Sequence, residues 1–292
     1  MLSSFELVTP KTLDEAITAL AECSGRAALL AGGTDVLVQI RTGAMKPDCL
    51  VDLKGIEELK GIKYTATGGL EIGALATHRE LETSALIMEK FPIIHDGVSK
   101  VGSVQIRNRA TVAGNICNAL PSADSIGPLM ALGARMHIRG PKGEREMPLE
   151  QFLIGPRRVA LEKGEIVTKI VVPPTSGQGC YIKYTRRKAM DLALLGASVF
   201  VECDKDGKVT EARIALTTSA PTVMRASEAE ASLKGQVLSD EALAKAGEIA
   251  SREAKPRTSW RGSEEYRRHL LKVLVPRAGK MARERLQAAG SK

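Results

Sequence analysis

The chain has 292 residues, 43% of them hydrophobic and 26% charged, which suits two domains of ordinary size and argues against disorder. No apolar run approaches the ~20 residues that a bilayer-spanning helix needs, and the first ten residues lack the basic start and apolar core of a signal peptide. The formal net charge of +8 is local: residues 252–292 hold 12 Lys/Arg against 4 Asp/Glu, the remainder is balanced at 30 of each, and Trp260 and Tyr266 are too few aromatics for a base-stacking platform.

Thr12-Leu13-Asp14-Glu15 reads as a capping box, and Leu13, Ala16, Ile17 and Leu20 recur at helical spacing up to a stop near Gly25. Residues 27–30 form an apolar run of strand length that breaks at Gly32-Gly33, and a second such run, residues 49–53, follows Pro47. The first ~55 residues thus form a helix–strand–turn–strand unit. Two short strands are expected within residues 61–75 around Gly68-Gly69. Thr77-His78-Arg79-Glu80 is a second capping box, Pro92 opens a helix reaching Val101, and residues 123–131 form another helix. Strands follow at residues 134–139 and 166–172, the latter stopped by Pro173-Pro174.

Residues 173–179, rich in Pro, Gly, Ser and Thr, make the best linker. Beyond it come three strands at residues 180–185, 193–203 and 209–217, with Asp204-Lys205-Asp206-Gly207 as a hairpin turn between the last two. Helices then start near Met224, Asp240 and Ser263. The fold class is α+β in both halves, divided into residues 1–175 (subdomains about 1–55 and 56–175) and residues 176–292. The basic tail reads as a solvated or partner-facing helix.

Cys23, Cys49, Cys117, Cys180 and Cys203 are scattered, with no pair spaced as a CxxC clip, zinc knuckle or iron–sulfur cradle. The pattern fits a reducing cytoplasm, with small buried thiols. His78, His95, His137 and His269 are too dispersed for a metal cluster and read as surface or satisfied core residues. GxGxxG after a strand, GxxxxGK[ST], HExxH, GxSxG and SxxK are all absent.

Two glycine-containing turns remain. In Leu29-Leu30-Ala31-Gly32-Gly33-Thr34-Asp35 a strand runs into two glycines, a hydroxyl and a carboxylate. Glycines let backbone amides approach a ligand closely and form a nest of donors suited to phosphate, with Thr34 as a further donor. A plain strand-to-helix turn with Asp35 as cap accounts for the same residues. Thr111-Val112-Ala113-Gly114-Asn115, continuing to Asp124, is rich in poor helix formers and reads as a loop before a helix. It offers amides for phosphate, with Asn115 and Asp124 for sugar hydroxyls. Amide bonds to a charged group contribute about 1.5–3 kcal/mol each, so two such loops on one pyrophosphate would hold a dinucleotide without a covalent link.

With these motifs the chain resembles the medium, FAD-binding subunits of the xanthine dehydrogenase and carbon monoxide dehydrogenase family, over essentially its whole length. The residues that carry the resemblance are Ala31-Gly32-Gly33-Thr34-Asp35, Val101-Gly102-Ser103-Val104-Gln105-Ile106-Arg107-Asn108, Thr111-Val112-Ala113-Gly114-Asn115 and Pro121 with Asp124. Lys183-Tyr184-Thr185-Arg186-Arg187 with Asp191, and the tail Tyr266-Arg267-Arg268-His269-Leu270-Leu271, complete it. The resemblance implies two α+β FAD subdomains like those of vanillyl-alcohol oxidase-type flavoproteins, then a C-terminal domain with a three-stranded antiparallel sheet and helices. It implies that Leu30, Ala31, Gly32, Gly33, Thr34 and Asp35, with Thr111, Ala113, Gly114 and Asn115, hold the pyrophosphate and nearby parts of non-covalent FAD. Asp124 would bind a hydroxyl of the cofactor, Lys183 would lie near the flavin, and Leu192 would lie against the isoalloxazine.

Three positions depart from the family's pattern. Ala113 stands where many relatives have glycine, Leu120 replaces a frequent serine, and Leu192 is aliphatic where some relatives carry tyrosine. The four-cysteine insertion of the 4-hydroxybenzoyl-CoA reductase branch is absent. The expected role is therefore electron transfer, with no catalytic side chain and no metal of its own. The resemblance implies molybdopterin on a large partner subunit and [2Fe-2S] clusters on a small one, with NAD or another acceptor taking the electrons. A stand-alone flavin oxidase or dehydrogenase of the same fold, a non-catalytic FAD-binding scaffold and a basic nucleic-acid-binding protein are the rival readings.

Overall fold

A computed structural model describes residues 4–290, so residues 1–3, part of the segment read for a leader, and Lys292, one of the basic tail's cations, lie outside the described residues. Strand β1 (Glu6–Val8), helix α1 (Leu13–Glu22), strand β2 (Ala27–Leu30), helix α2 (Val36–Arg41) and strand β3 (Cys49–Asp52) form the first unit, a parallel sheet in the order β1-β3-β2. Helix α1 buries Leu13, Ala16 and Leu20. Thr12 Oγ1 accepts from the Glu15 amide at 3.2 Å, but the Glu15 carboxylate accepts from Lys11 N at 2.7 Å, so the reciprocal half of the expected box is displaced by one residue. Helix α2 adds to the expected order. Its six residues carry only Ile40 into the core, too little for a periodic signal.

The second unit holds strands β4 (Ile62–Thr65) and β5 (Gly69–Gly73), then helices α3 (His78–Thr83), α4 (Ala85–Lys90), α5 (Pro92–Val98), α6 (Val104–Arg107), α7 (Val112–Asn118) and α8 (Ile126–Ala131). Strands β6 (Arg135–Gly140) and β7 (Gly143–Pro148), helix α9 (Leu149–Phe152), and strands β8 (Leu153–Gly155), β9 (Arg158–Val159) and β10 (Ile166–Val172) follow. An antiparallel sheet runs β4-β5-β10-β6-β7. The Thr77 capping box forms as expected, with Thr77 and Glu80 each accepting from the other's amide. Helix α5 stops at Val98 rather than Val101: tight turns from Lys100 N to Gly97 O and Val101 N to Val98 O carry the chain to Gly102 at φ +49°. Helix α8 starts at Ile126 rather than Ala123, whose amide closes a turn onto Leu120 O. Strand β7 is a further addition, because an exposed edge strand of sequence Gly-Glu-Arg-Glu-Met-Pro has no apolar face to announce it.

The third unit is the antiparallel sheet of β11 (Gln178–Tyr184), β12 (Leu195–Cys203) and β13 (Val209–Thr217), the three expected strands, with a two-residue edge strand β14 (Met224–Arg225) added. Helices α10 (Ser227–Leu233), α11 (Asp240–Glu253) and α12 (Glu264–Gly290) come after it. Met224 therefore lies in a strand, and the helix expected from it starts at Ser227. The linker residues are tied down: Thr175 Oγ1 and the amides of Ser176 and Gly177 all donate to the Glu202 carboxylate. Tyr181, Phe200, Ala215 and Val223 join the same apolar core as β5, α5 and β10, so the third unit shares its core with the second. Arg285 of α12 makes a paired contact with Asp96 of α5 at 2.6 and 3.0 Å.

Candidate functional site

The turn after β2 is shaped by two different constraints. Gly33 has φ +79°, a left-handed conformation that suits glycine. At Gly32 the constraint is space: a Cβ would lie 2.0 Å from Arg109 O and 2.9 Å from Ala110 Cα. The chain before Thr111 thus passes directly against the first turn, and the two glycine motifs meet backbone to backbone. His78 fixes that passage from behind. Its amide donates to Ala110 O at 2.9 Å and its ring Nδ1 lies 2.8 Å from the same oxygen. Burial pushes the imidazole down to about 4, so the ring is neutral and Nδ1 carries the proton that Ala110 accepts. Its Nε2 is buried and has no partner among the described residues, so His78 is a core histidine but only half satisfied.

The second motif is a helix start rather than the expected loop. Thr111 is the N-cap of α7, and its Oγ1 accepts from Gly114 N at 3.1 Å. The asparagines are poor helix formers, but Val112, Ala113 and Ile116 are buried on one face, and that packing outweighs propensity. Asn115 Oδ1 accepts from Ser125 Oγ at 2.7 Å, joining α7 to the segment that carries Asp124.

Between the motifs runs a cleft made of a cavity of about 430 Å³ and an adjoining one of about 300 Å³, which share Thr34, Asp35, Val101, Ile106, Asn115 and Asn118 as walls. Of the residues singled out from sequence, Ala31, Gly32, Gly33, Thr34, Asp35, Thr111, Ala113, Gly114 and Asn115 line the larger cavity. Asp124 and Leu192 line the smaller. Leu30 does not reach either: it is buried under the turn with Ile40 and Leu50. Lys183 stands behind Asp124 rather than in the cleft wall. Val101 and Ile106 belong to the Val101–Asn108 motif, to which the sequence assigns no place in the site. Asn118 falls within the polar segment that runs on to Asp124 but is not singled out there, and Arg157 and Ile166 carry no signal in spacing or composition.

Asp35 does not cap α2; its carboxyl is pushed up by burial, against the opposing pull of the Arg157 guanidinium and a hydrogen bond to Asn118. Asp124 is held on both sides. Its Oδ1 accepts from the Tyr181 hydroxyl at 2.6 Å and its Oδ2 from the Lys183 ammonium at 2.8 Å, with both ionic side chains under a tenth exposed. Burial pushes the Asp124 carboxyl up while Lys183 and Tyr181 oppose it, and burial together with the Asp124 charge pushes the Tyr181 phenol up. Lys183 also donates to Lys100 O and Asp191 O, and Asp191 accepts from the amides of Arg186, Arg187 and Leu192. The chain Asp124–Lys183–Asp191 therefore sets the loop that brings Leu192 to the cleft.

These features fit an extended dinucleotide. The two cavities fall in the size range of cofactor sites, about 300–1,000 Å³. The Gly32–Gly33 turn lets backbone reach a ligand closely, and Asp124 keeps free lone pairs for a hydroxyl. Among the described residues no group of three or more His, Cys, Asp or Glu could hold a metal ion.

Two family models match the chain. One, described as the FAD binding domain in molybdopterin dehydrogenase, covers residues 3–175, and one described as the CO dehydrogenase flavoprotein C-terminal domain covers residues 180–282. The chain is 35% identical to the xanthine dehydrogenase FAD-binding subunit of Escherichia coli O157:H7, covering 96% of each. It is 31% identical to the carbon monoxide dehydrogenase medium chain of Hydrogenophaga pseudoflava, covering 94% of this chain and 95% of that one. Among solved structures it superposes on a chain of the H. pseudoflava carbon monoxide dehydrogenase lacking the Mo-pyranopterin moiety with a TM-score of 0.92, covering 98% of this chain and 99% of that one at 31% identity. On a chain of quinoline 2-oxidoreductase from Pseudomonas putida 86 the TM-score is 0.90, covering 99% of each at 30% identity.

Proposed function

The chain belongs to the FAD-binding medium subunits of the xanthine dehydrogenase and carbon monoxide dehydrogenase family, and from that premise we propose how its own residues hold the cofactor and pass electrons on. The observation that carries the reading is the meeting of the Gly32–Gly33 turn with the backbone at Arg109 and Ala110 along one wall of the cleft. Ala31 to Asp35 and the start of α7 hold the pyrophosphate region, Asp124 accepts from a hydroxyl of the cofactor, and Leu192 covers the flavin end. Lys183 acts through Asp124, keeping it charged and oriented. FAD held there would supply the redox chemistry, exchange of single electrons with a [2Fe-2S] centre and of electron pairs with an acceptor.

The partners are a small [2Fe-2S] subunit and a large molybdenum-cofactor subunit, and NAD or another carrier is the final acceptor. Residues 1–175 bind FAD, in subdomains of about 1–55 and 56–175, and residues 176–292 complete the site from the Lys183–Leu192 side. No helix among the described residues is long and apolar enough to cross a membrane. A reducing cytoplasm suits thiols such as Cys117 and Cys180, which burial pushes up to about 12 and keeps protonated.

Two measurements test the reading. Denaturing the purified chain should release one FAD per chain; FMN, a covalent flavin, or no flavin after reconstitution would overturn it. In the reconstituted complex, hydroxylase substrate should reduce the flavin only when both partner subunits are present. Flavin reduction by substrate in the isolated chain would favour a self-sufficient flavoenzyme.

A further inference from the structure

We propose that Arg157 is the cation that meets the phosphate charge of the dinucleotide in this cleft; the proposal rests on the FAD reading above. Arg157 follows Pro156 in the two-residue turn between β8 and β9 and lines the larger cavity, on the wall shared by Asp35 and Asn118. Among the described residues it is the only Lys, Arg or His in the lining of either cavity, whereas Asp35, Asp124 and Asp191 place three carboxylates there. Lys183 behind the wall is already engaged by Asp124, and Arg187 lies beside Asp191, so among the described residues Arg157 is the one cation in the lining itself that can face a pyrophosphate. Backbone amides and the Thr34 hydroxyl supply donors but no full charge.

The guanidinium is available for that task. Among the described residues it makes no ion pair and no side-chain hydrogen bond, in contrast to Arg107, Arg145, Arg225 and Arg285, each forked onto a carboxylate. Its charge is felt by Asp35, the residue that closes the first glycine turn. The side chain thus stands where the turn's ligand would pass, without being consumed by a protein partner.

The backbone supports the same conclusion. Arg157 has φ +58°, and its amide donates at 3.2 Å to the carbonyl of Ala119, itself left-handed at φ +45° and the C-cap of α7. Arg157 at the cavity wall and the buried Ala119 behind it, two left-handed non-glycine residues bonded to each other, are strain held in place by the surrounding packing, and such strain gathers at ligand sites. Glycine would make this hairpin turn more easily, so a turn role alone does not account for arginine there.

The test uses the full chain stripped of flavin, with affinities for FAD, ADP, adenosine and riboflavin measured by fluorescence quenching or calorimetry. Arg157→Met should weaken FAD and ADP by roughly ten- to a hundredfold, the scale of a lost charge-assisted hydrogen bond. Adenosine and riboflavin, which lack phosphate, should bind as in the wild type, and Arg157→Lys should keep part of the affinity. Arg157→Gly separates ligand from scaffold: relief of the positive φ should leave the melting temperature of the flavin-free chain equal or higher, while FAD affinity falls as in the Met variant. FAD and ADP affinities within twofold of wild type in both the Met and Gly variants, or an equal loss for adenosine, would overturn the proposal. A wild-type chain that bound ADP but not FAD would overturn the flavin reading alone, and one that bound neither would overturn both.

Discussion

At Gly32 a single missing atom decides whether two segments can touch. A Cβ there meets backbone, not a flexible side-chain end, so Gly32→Ala must part the turn from the Arg109–Ala110 segment. Crowding of this kind costs about 1–3 kcal/mol, and we expect a lower urea midpoint together with weakened FAD binding. Unchanged FAD affinity would show that the close approach does not shape the site. Gly33→Val asks a branched residue to adopt φ +79°, at about 1–2 kcal/mol for the left-handed conformation alone, and its Cβ would press on Leu30 Cδ1 at 3.0 Å. Severe loss of flavin and partial loss of folding are expected. Asp124→Ala acts twice: FAD affinity should fall by roughly 1–3 kcal/mol for the unmade hydrogen bond. Stability should fall by about 3–5 kcal/mol because Lys183 is left buried without its carboxylate. The double variant Asp124→Ala/Lys183→Met should recover part of that stability and none of the FAD affinity, whereas strictly additive unfolding energies would argue against a coupled pair.

Among the elements, α7 is held in place more by its cap and its buried face than by its own sequence. Thr111→Val preserves the branched shape and deletes the oxygen that Gly114 donates to, so helix stability should fall by about 1 kcal/mol, the usual value of an N-cap. If FAD binding depends on the amides of this turn, affinity should fall more than stability does; calorimetric titration beside urea unfolding would show equal losses if it does not. Thr77 offers an internal comparison, because its capping box is complete but belongs to α3, with Thr77 paired across to Thr111 only at a single bridge. Thr77→Ala should cost a similar ~1 kcal/mol with a smaller effect on the flavin. The Thr77 cap is visible as a capping box with Glu80, whereas Thr111 reads as part of a loop and not as a cap. The helical state of α7 itself is not visible, since a segment rich in Asn and Gly forms a helix only because Val112, Ala113 and Ile116 find a core to enter.

For the molecule as a whole, acid should act through His78. Its ring titrates near 6.5 when unfolded and is held down to about 4 in the fold. The unfolded chain binds the extra proton between those values, so the contribution is fully present above pH 6.5 and is lost as pH falls toward 4, by about 3 kcal/mol over the window. Protonation would place a charge at the buried, unpartnered Nε2 while leaving the Nδ1–H bond to Ala110 O in place, so FAD should dissociate over this range only as far as the fold itself loosens. His78→Gln should flatten the difference in unfolding free energy between pH 6.5 and 4; a wild-type slope no steeper than that of the variant would refute it. At the other end of the molecule, Arg285 ties α12 to α5 through Asp96 and also donates to Gly179 O. The basic tail thus spends cations inside the fold rather than on a partner, Arg285 on Asp96 and the buried Arg267 on Leu194 O and Ser259 Oγ.

Residues close together in the chain are enough to specify the periodic elements and the local signals. The amphipathic α1, the strand stopped by Pro173-Pro174, the hairpin turn at residues 204–207 and the threonine caps at Thr12 and Thr77 each rest on residues within a few positions of one another. The two glycine motifs are legible too, because a required turn or close approach restricts residue choice at the spot itself. Packing between distant segments is what makes the motifs touch at Gly32 and Arg109, puts Leu30 beneath the turn, and clamps Asp124 between Tyr181 and Lys183. Arg157 and Ile166 reach the same cleft from a turn and a strand whose neighbours lie far along the chain. Contacts of that range leave no period in the sequence: each depends on where a separate element comes to rest, and burial of the shared core sets that position for all of them at once.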